Sequence, residues 1–183
     1  DMVVGYRRST GWASDQYVYF AAQFSKPFTS FDLHGNSGRY GRASFSTEKG
    51  EQILLKIALS PVSAEGAKKN LLAELAEWDF DKTVAAANLA WNEELGKVRI
   101  HTASKSYLRI FYTALYHTMV APSIYSDVNS SNTAYTTFSL WDTYRAAMPL
   151  MTILHPDRMP DIINSMLDIY DKQGRLPVWH LWG

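Results

Sequence analysis

The stretch Ser60-Pro61-Val62-Ser63-Ala64-Glu65-Gly66-Ala67 divides the chain into a part that reads as strand and a part that reads as helix. Before it, Tyr17-Val18-Tyr19-Phe20-Ala21-Ala22-Gln23-Phe24 is rich in β-branched and aromatic residues and is interrupted by Lys26-Pro27. Gln52-Ile53-Leu54-Leu55-Lys56-Ile57-Ala58-Leu59 is a second such run, and Ala43-Ser44-Phe45-Ser46 a shorter third. Gly35, Gly38, Gly41 and Gly50 punctuate the intervals. These runs read as the later strands of an antiparallel β-sandwich, too few to close a two-sheet core by themselves.

After Pro61 the apolar residues recur at helical spacing. Ser63 is placed to cap a helix through Ala67, Leu71, Leu72 and Leu75. Asp79 or Asp81 caps the next, whose face is Phe80, Val84, Ala87, Trp91 and Leu95. Val98-Arg99-Ile100 is an extended link. Ser104 opens a third helix with Leu108, Phe111, Leu115 and Met119 on one stripe, widened by Tyr112 and Tyr116 and ended by Pro122. Ser126 to Tyr135 is polar loop. A fourth helix is expected from Leu140 to Leu154, kinked or broken at Pro149. A fifth carries Ile162, Ile163, Met166, Leu167 and Tyr170 inward and stops at Gly174. The tail from Leu176 is extended and apolar. Strands segregated from helices point to an α+β chain with parts of more than one domain.

Composition narrows the function. Of 183 residues, 46% are hydrophobic, a globular proportion. Lys plus Arg equals Asp plus Glu, 18 each, so the chain has no net positive charge to track a phosphate backbone and no nucleic-acid partner is expected. The chain has no Cys, which removes disulfides, thiolate metal sites and a Cys nucleophile. No apolar run reaches bilayer length, so no transmembrane segment is expected. The chain opens Asp1-Met2-Val3-Val4 without a basic-then-apolar leader, as expected of a mature, excised or internal piece.

Chemistry concentrates in Phe138-Ser139-Leu140-Trp141-Asp142-Thr143-Tyr144-Arg145. A carboxylate accepts hydrogen bonds from two sugar hydroxyls at once, and an indole stacks on the apolar face of a pyranose. The plainer reading has more local support: Asp142 caps a helix, Trp141 is core and Arg145 pairs with Asp142. Trp179-His180-Leu181-Trp182 is the second cluster, either a pocket lining or an apolar tail around a buried His. His117 reads as a core or boundary residue, His155 as a loop residue, and His34 and His101 as exposed. No His pair has metal-binding helical spacing. No two carboxylates can be matched by spacing as the pair that glycoside hydrolysis requires.

Longer words carry more information. Gly5-Tyr6-Arg7-Arg8, Asp15-Gln16-Tyr17-Val18-Tyr19-Phe20, Phe24-Ser25-Lys26-Pro27-Phe28, Ser60 through Ala67, Trp78-Asp79-Phe80-Asp81, Phe111 through Thr118, Phe138 through Arg145 and Asn164-Ser165-Met166-Leu167 follow one another in the order of a known family. Together they make nearly the whole chain resemble glycoside hydrolase family 92, whose members are α-mannosidases. The resemblance implies an α+β multi-domain fragment: strands of a β-sandwich over 1–61, a helical connector over 62–97, and the first helices of an (α/α)6 barrel over 98–183. It implies exo-acting, inverting, calcium-dependent hydrolysis of terminal α-linked mannose, α-1,2 linkages first, from mannose-containing glycans. The alternatives are a non-catalytic carbohydrate-binding fragment and another (α/α)6-barrel glycosidase.

By the resemblance, Asp142 matches the family aspartate that touches hydroxyls of the terminal mannose, with Trp141 beside it in the pocket. Trp179 and Trp182 lie on the approach to the site, and Arg145 stands open between site and scaffold. The resemblance also implies that no catalytic residue lies in these 183 residues. The proton-donating Glu is expected just after Gly183, and the base and most calcium ligands further on, so the chain alone is not expected to turn over substrate. Barrel helices left open are expected to promote self-association. A bacterial periplasmic, outer-surface or secreted location is implied as well.

Overall fold

Two hydroxyls make the turn from strand to helix. In the computed structural model, which describes residues 1–11, 13–35 and 40–181, Ser60 Oγ accepts from the backbone N–H of Val62 at 3.0 Å and of Ser63 at 3.2 Å. Ser63 Oγ in turn accepts from Gly66 N at 2.9 Å, satisfying a donor that a helix start would otherwise leave unpaired. The chain is a mixed α and β fragment in two compact units, Asp1–Ser9 with Tyr17–Trp78, and Thr10–Gln16 with Asp79–Gly183.

The first unit holds β1 (Met2–Ser9), β2 (Gln16–Phe24), β3 (Ser30–His34), β4 (Tyr40–Ser44), β5 (Leu55–Ser60) and α1 (Ala64–Glu74). Its sheet runs β1-β2-β5, with Ala21 opposite Ala58 and Phe24 opposite Leu55. Small residues at Ala21 and Ala58 let α1 approach closely, and Ala21, Ala67 and Leu71 are fully buried, with Met2 and Ala58 against them. Neighbours along the strand point the other way. Leu55, Ile57 and Leu59 are accordingly exposed. The β3–β4 hairpin joins the sheet through aromatic rings, Phe24 to Phe45 at 5.2 Å and Phe28 to Phe31 at 5.6 Å. The expected strand at Gln52 begins only at Leu55, because Leu54 is drawn into bonds with Ser25 through its N–H and its carbonyl. Strands β1 and β3 were not foreseen, β1 because Gly5 and Arg7-Arg8 break the apolar pattern, while the expected run over 43–46 overlaps only the end of β4. Trp12 and Gly38 lie outside the described residues.

The second unit holds α2 (Phe80–Leu95), α3 (Lys105–Thr118), β6 (Ser123–Ile124), β7 (Tyr135–Thr136), β8 (Phe138–Ser139), α4 (Leu140–Thr143), α5 (Ala147–Leu154), α6 (Met159–Gln173) and β9 (Trp179–His180). Asp79 and Ser104 cap α2 and α3, and Gly174 ends α6 at φ 73°, where a side chain would be strained. The expected single helix from Leu140 to Leu154 is two. The break falls at 144–146, ahead of Pro149 rather than at it. A continuous helix would need a Pro149 N–H for the Arg145 carbonyl, and proline has none; in the first turn of α5 that N–H is not required. Tyr135, Phe138, Met151, Ile162 and Ile169 form the core, with Met159 and Met166 packed on it. No residue of α2 is buried, so its Phe80, Val84 and Trp91 stripe stays open.

Candidate functional site

The ribbon of β8 and β9 brings together two pieces of sequence that lie far apart. Phe138 is opposite His180 and Ser139 opposite Trp179, and Leu140 N donates to Val178 O at 2.9 Å. Directly opposed residues share a face of a two-stranded ribbon. Phe138, 1% exposed, and His180 therefore mark the inner face, while Ser139 and Trp179 mark the outer one. The chain reaches this register through Thr137, a β-branched residue at φ 69°, a backbone conformation such residues rarely adopt. It follows buried β7, where Tyr135 N donates to Ser165 Oγ of α6 at 2.9 Å.

On the outer side, α4 presents the expected residues to solvent. Trp141 is 73% exposed and Trp179 54%. Asp142 is exposed, and its Oδ2 accepts from Ser139 Oγ at 2.5 Å. Asp142 does not cap α4: it sits inside the first turn, and Ser139 occupies the cap position without making a capping bond. Arg145 is also exposed and turns to Tyr144, its Nε donating to the hydroxyl at 2.8 Å, instead of pairing with Asp142. Ser139 is thus bonded to Asp142 and paired with Trp179, while Trp141 and Arg145, close to Asp142 in sequence, are exposed. Trp182 lies outside the described residues. His180 is set apart on the inner face, where burial lowers its pKa. Such a surface offers indole faces and an unneutralised carboxylate, the two groups that suit a pyranose with free hydroxyls.

His155 adds burial to the sequence reading. It lies in the loop after α5, as read, but is buried, only 1% exposed. Its Nδ1 lies 3.0 Å from Lys97 Nζ, and Glu94 Oε2 is 2.8 Å from the same Lys97. Arg158 Nη2 donates to Glu94 Oε1. Burial, then the Lys97 and Arg158 charges, hold the His155 pKa below its ordinary value. Burial opposes the Glu94 charge, but the Lys97 hydrogen bond with the Arg158, Lys97 and His155 charges outweighs it and lowers the Glu94 pKa. This is a clasp between helices, not a metal centre. Among the described residues no three of His, Asp, Glu or Cys gather as metal ligands. His117 is exposed and lines an open furrow of about 630 Å³ with Leu95, Leu108, Arg109, Tyr112, Thr113 and Tyr116.

Ser139 is the residue of the site that sequence reasoning passed over. Its spacing of three from a carboxylate resembles a capping box and was the signal available. The Ser139–Trp179 pairing had no such signal.

Comparison with known proteins follows the same lines. Residues 66–183 match the sequence profile of the glycosyl hydrolase family 92 catalytic domain. A structure of a family GH92 α-mannosidase from Bacteroides thetaiotaomicron superposes with a TM-score of 0.88 at 33% identity, over 99% of this chain and 29% of that one. A second structure of that α-mannosidase, in complex with mannoimidazole, gives 0.87. A family GH92 inverting mannosidase from the same organism gives 0.85 at 26% identity, over 97% of this chain and 28% of its own. An uncharacterized secreted glycosidase of Arthroderma benhamiae is 26% identical over 149 residues, 79% of this chain and 17% of that protein. The chain spans less than a third of the length of each of these relatives. No helix among the described residues is long and apolar enough to cross a membrane. With the profile covering well over half of its residues, the chain belongs to glycosyl hydrolase family 92.

Proposed function

We propose that the protein carrying this chain is an exo-acting α-mannosidase that releases terminal α-linked mannose from glycans with inversion. The observation that supports the reading is the link through Ser139, which bonds Asp142 and pairs with Trp179, with Trp141 exposed next to Asp142, inside the segment that matches the family profile. The solved relatives described as an α-mannosidase and as an inverting mannosidase support the substrate and the stereochemistry. In this reading the chain supplies binding. Trp141 and Trp179 offer ring faces to the apolar C–H face of mannose, and Asp142 accepts hydrogen bonds from its hydroxyls. Inversion needs an acid and a base about 6.5–9.5 Å apart with a water between them. We assign neither role to a residue of this chain. The β-sandwich and (α/α)6-barrel parts, with the boundaries given above, complete the proposal. So do α-1,2 preference, calcium held by residues beyond these 183, self-association of the isolated chain and export from a bacterial cell. Calcium would supply a multidentate grip on vicinal hydroxyls.

The test is a panel of α-mannobioses and other α-linked disaccharides given to the full-length protein, with the product anomer followed by NMR. Mannose released first as the β-anomer is expected, with loss of turnover on chelation. Release of another sugar in preference to mannose, or of the α-anomer first, would sink the proposal.

A further inference from the structure

We propose that Ser139 is a positioning residue for the sugar-binding carboxylate, holding Oδ2 of Asp142 so that its other oxygen faces incoming sugar hydroxyls. The inference rests on the reading of Asp142 given above. A serine at a helix cap ordinarily accepts from a backbone N–H of the first turn. Ser139 stands at the cap of α4 but makes no such bond; its hydroxyl donates to Asp142 Oδ2 at 2.5 Å instead. The helix start forgoes its side-chain cap, and the carboxylate gains a fixed orientation. Ser139 is itself firmly held. Its backbone pairs with Trp179, its carbonyl accepts from Thr143 Oγ1 at 3.0 Å, and Phe138 before it is buried in the core. Arg145, the nearest cation in the segment, bonds to Tyr144. Asp142 is therefore oriented by a neutral hydroxyl, and its charge stays available to a ligand. Fixing an acceptor before the ligand arrives removes ordering cost from binding.

A double-mutant cycle on the full-length protein tests this, with mannose release from α-1,2-mannobiose as the readout and thermal melting as the check on folding. Ser139→Ala is expected to lower kcat/KM by about tenfold with little change in melting temperature. Ser139→Thr, which keeps the hydroxyl, is expected to restore most of it. In an Asp142→Ala background, Ser139→Ala is expected to cost nothing further, because its role runs only through that carboxylate. A purely structural serine would cost the same in both backgrounds, and that result would overturn the inference. So would wild-type kcat/KM in Ser139→Ala while Asp142→Ala is impaired. If Asp142→Ala is itself unimpaired, the reading of the sugar site fails and the inference fails with it.

Discussion

Lys56 is the second residue of β5, opposite Gln23, yet is only 8% exposed. Its ammonium group donates to the carbonyls of Leu75 and Ala76 at 2.7 and 3.3 Å and lies 4.1 Å from the centre of the Trp78 ring. Helix α1 has no basic residue in its last turn, so this strand lysine supplies the cation that its negative end favours. Lys56→Met keeps the packing of the stem and removes the charge. It is expected to lower the stability of the protein by about 2 kcal/mol, measured by chemical denaturation. A change within about 0.5 kcal/mol would show the contact to be incidental. Nothing near Lys56 in sequence indicates this, because its partners lie some twenty positions on and meet it only once α1 has packed. Ser63, Asp79, Ser104 and Gly174 differ: their partners are within one helical turn, and their roles could be read before the fold was known.

Among the elements, the clasp of Glu94, Lys97, His155 and Arg158 ties the end of α2 to the junction of α5 and α6. His155 is buried with Nδ1 facing Lys97, so the folded state favours the neutral ring and its pKa is lowered. Unfolded, the ring takes up a proton near its ordinary value of 6.5. Stability therefore falls as pH drops below about 6.5 and the unfolded state binds the extra proton. The Glu94 carboxylate, also lowered, adds a second loss that begins only below its ordinary 4.5. Melting temperature should decline through the first window, and His155→Gln should flatten that decline while leaving the second. An unchanged slope in the variant would remove His155 as the cause. The same contrast explains what was legible among the elements. The helices show their period and caps, whereas β8 and β9 are two residues each and their pairing spans some forty positions. A run that short has no alternation to read. Likewise Pro149 announced a break, but its position followed from the hydrogen bond that Pro149 cannot make.

At the scale of the whole molecule, the chain is less than a third of the length of its solved relatives, and its open surfaces fit that fact. The apolar stripe of α2 and the Leu55, Ile57, Leu59 face of the sheet are exposed. The order of strands followed by helices was readable from composition and period. Trp141 and Asp142 were readable as candidates by residue type, but the pairing of Trp179 with Ser139 was not, because it exists only through the β8–β9 ribbon. The account therefore depends on Asp142 as the residue that grips the terminal mannose. Titration calorimetry of the full-length protein with mannoimidazole, comparing wild type with Asp142→Ala, tests this most directly. The account predicts that the wild type binds and that the variant binds at least about tenfold more weakly. Equal affinity in the two proteins, with both folded, would contradict it.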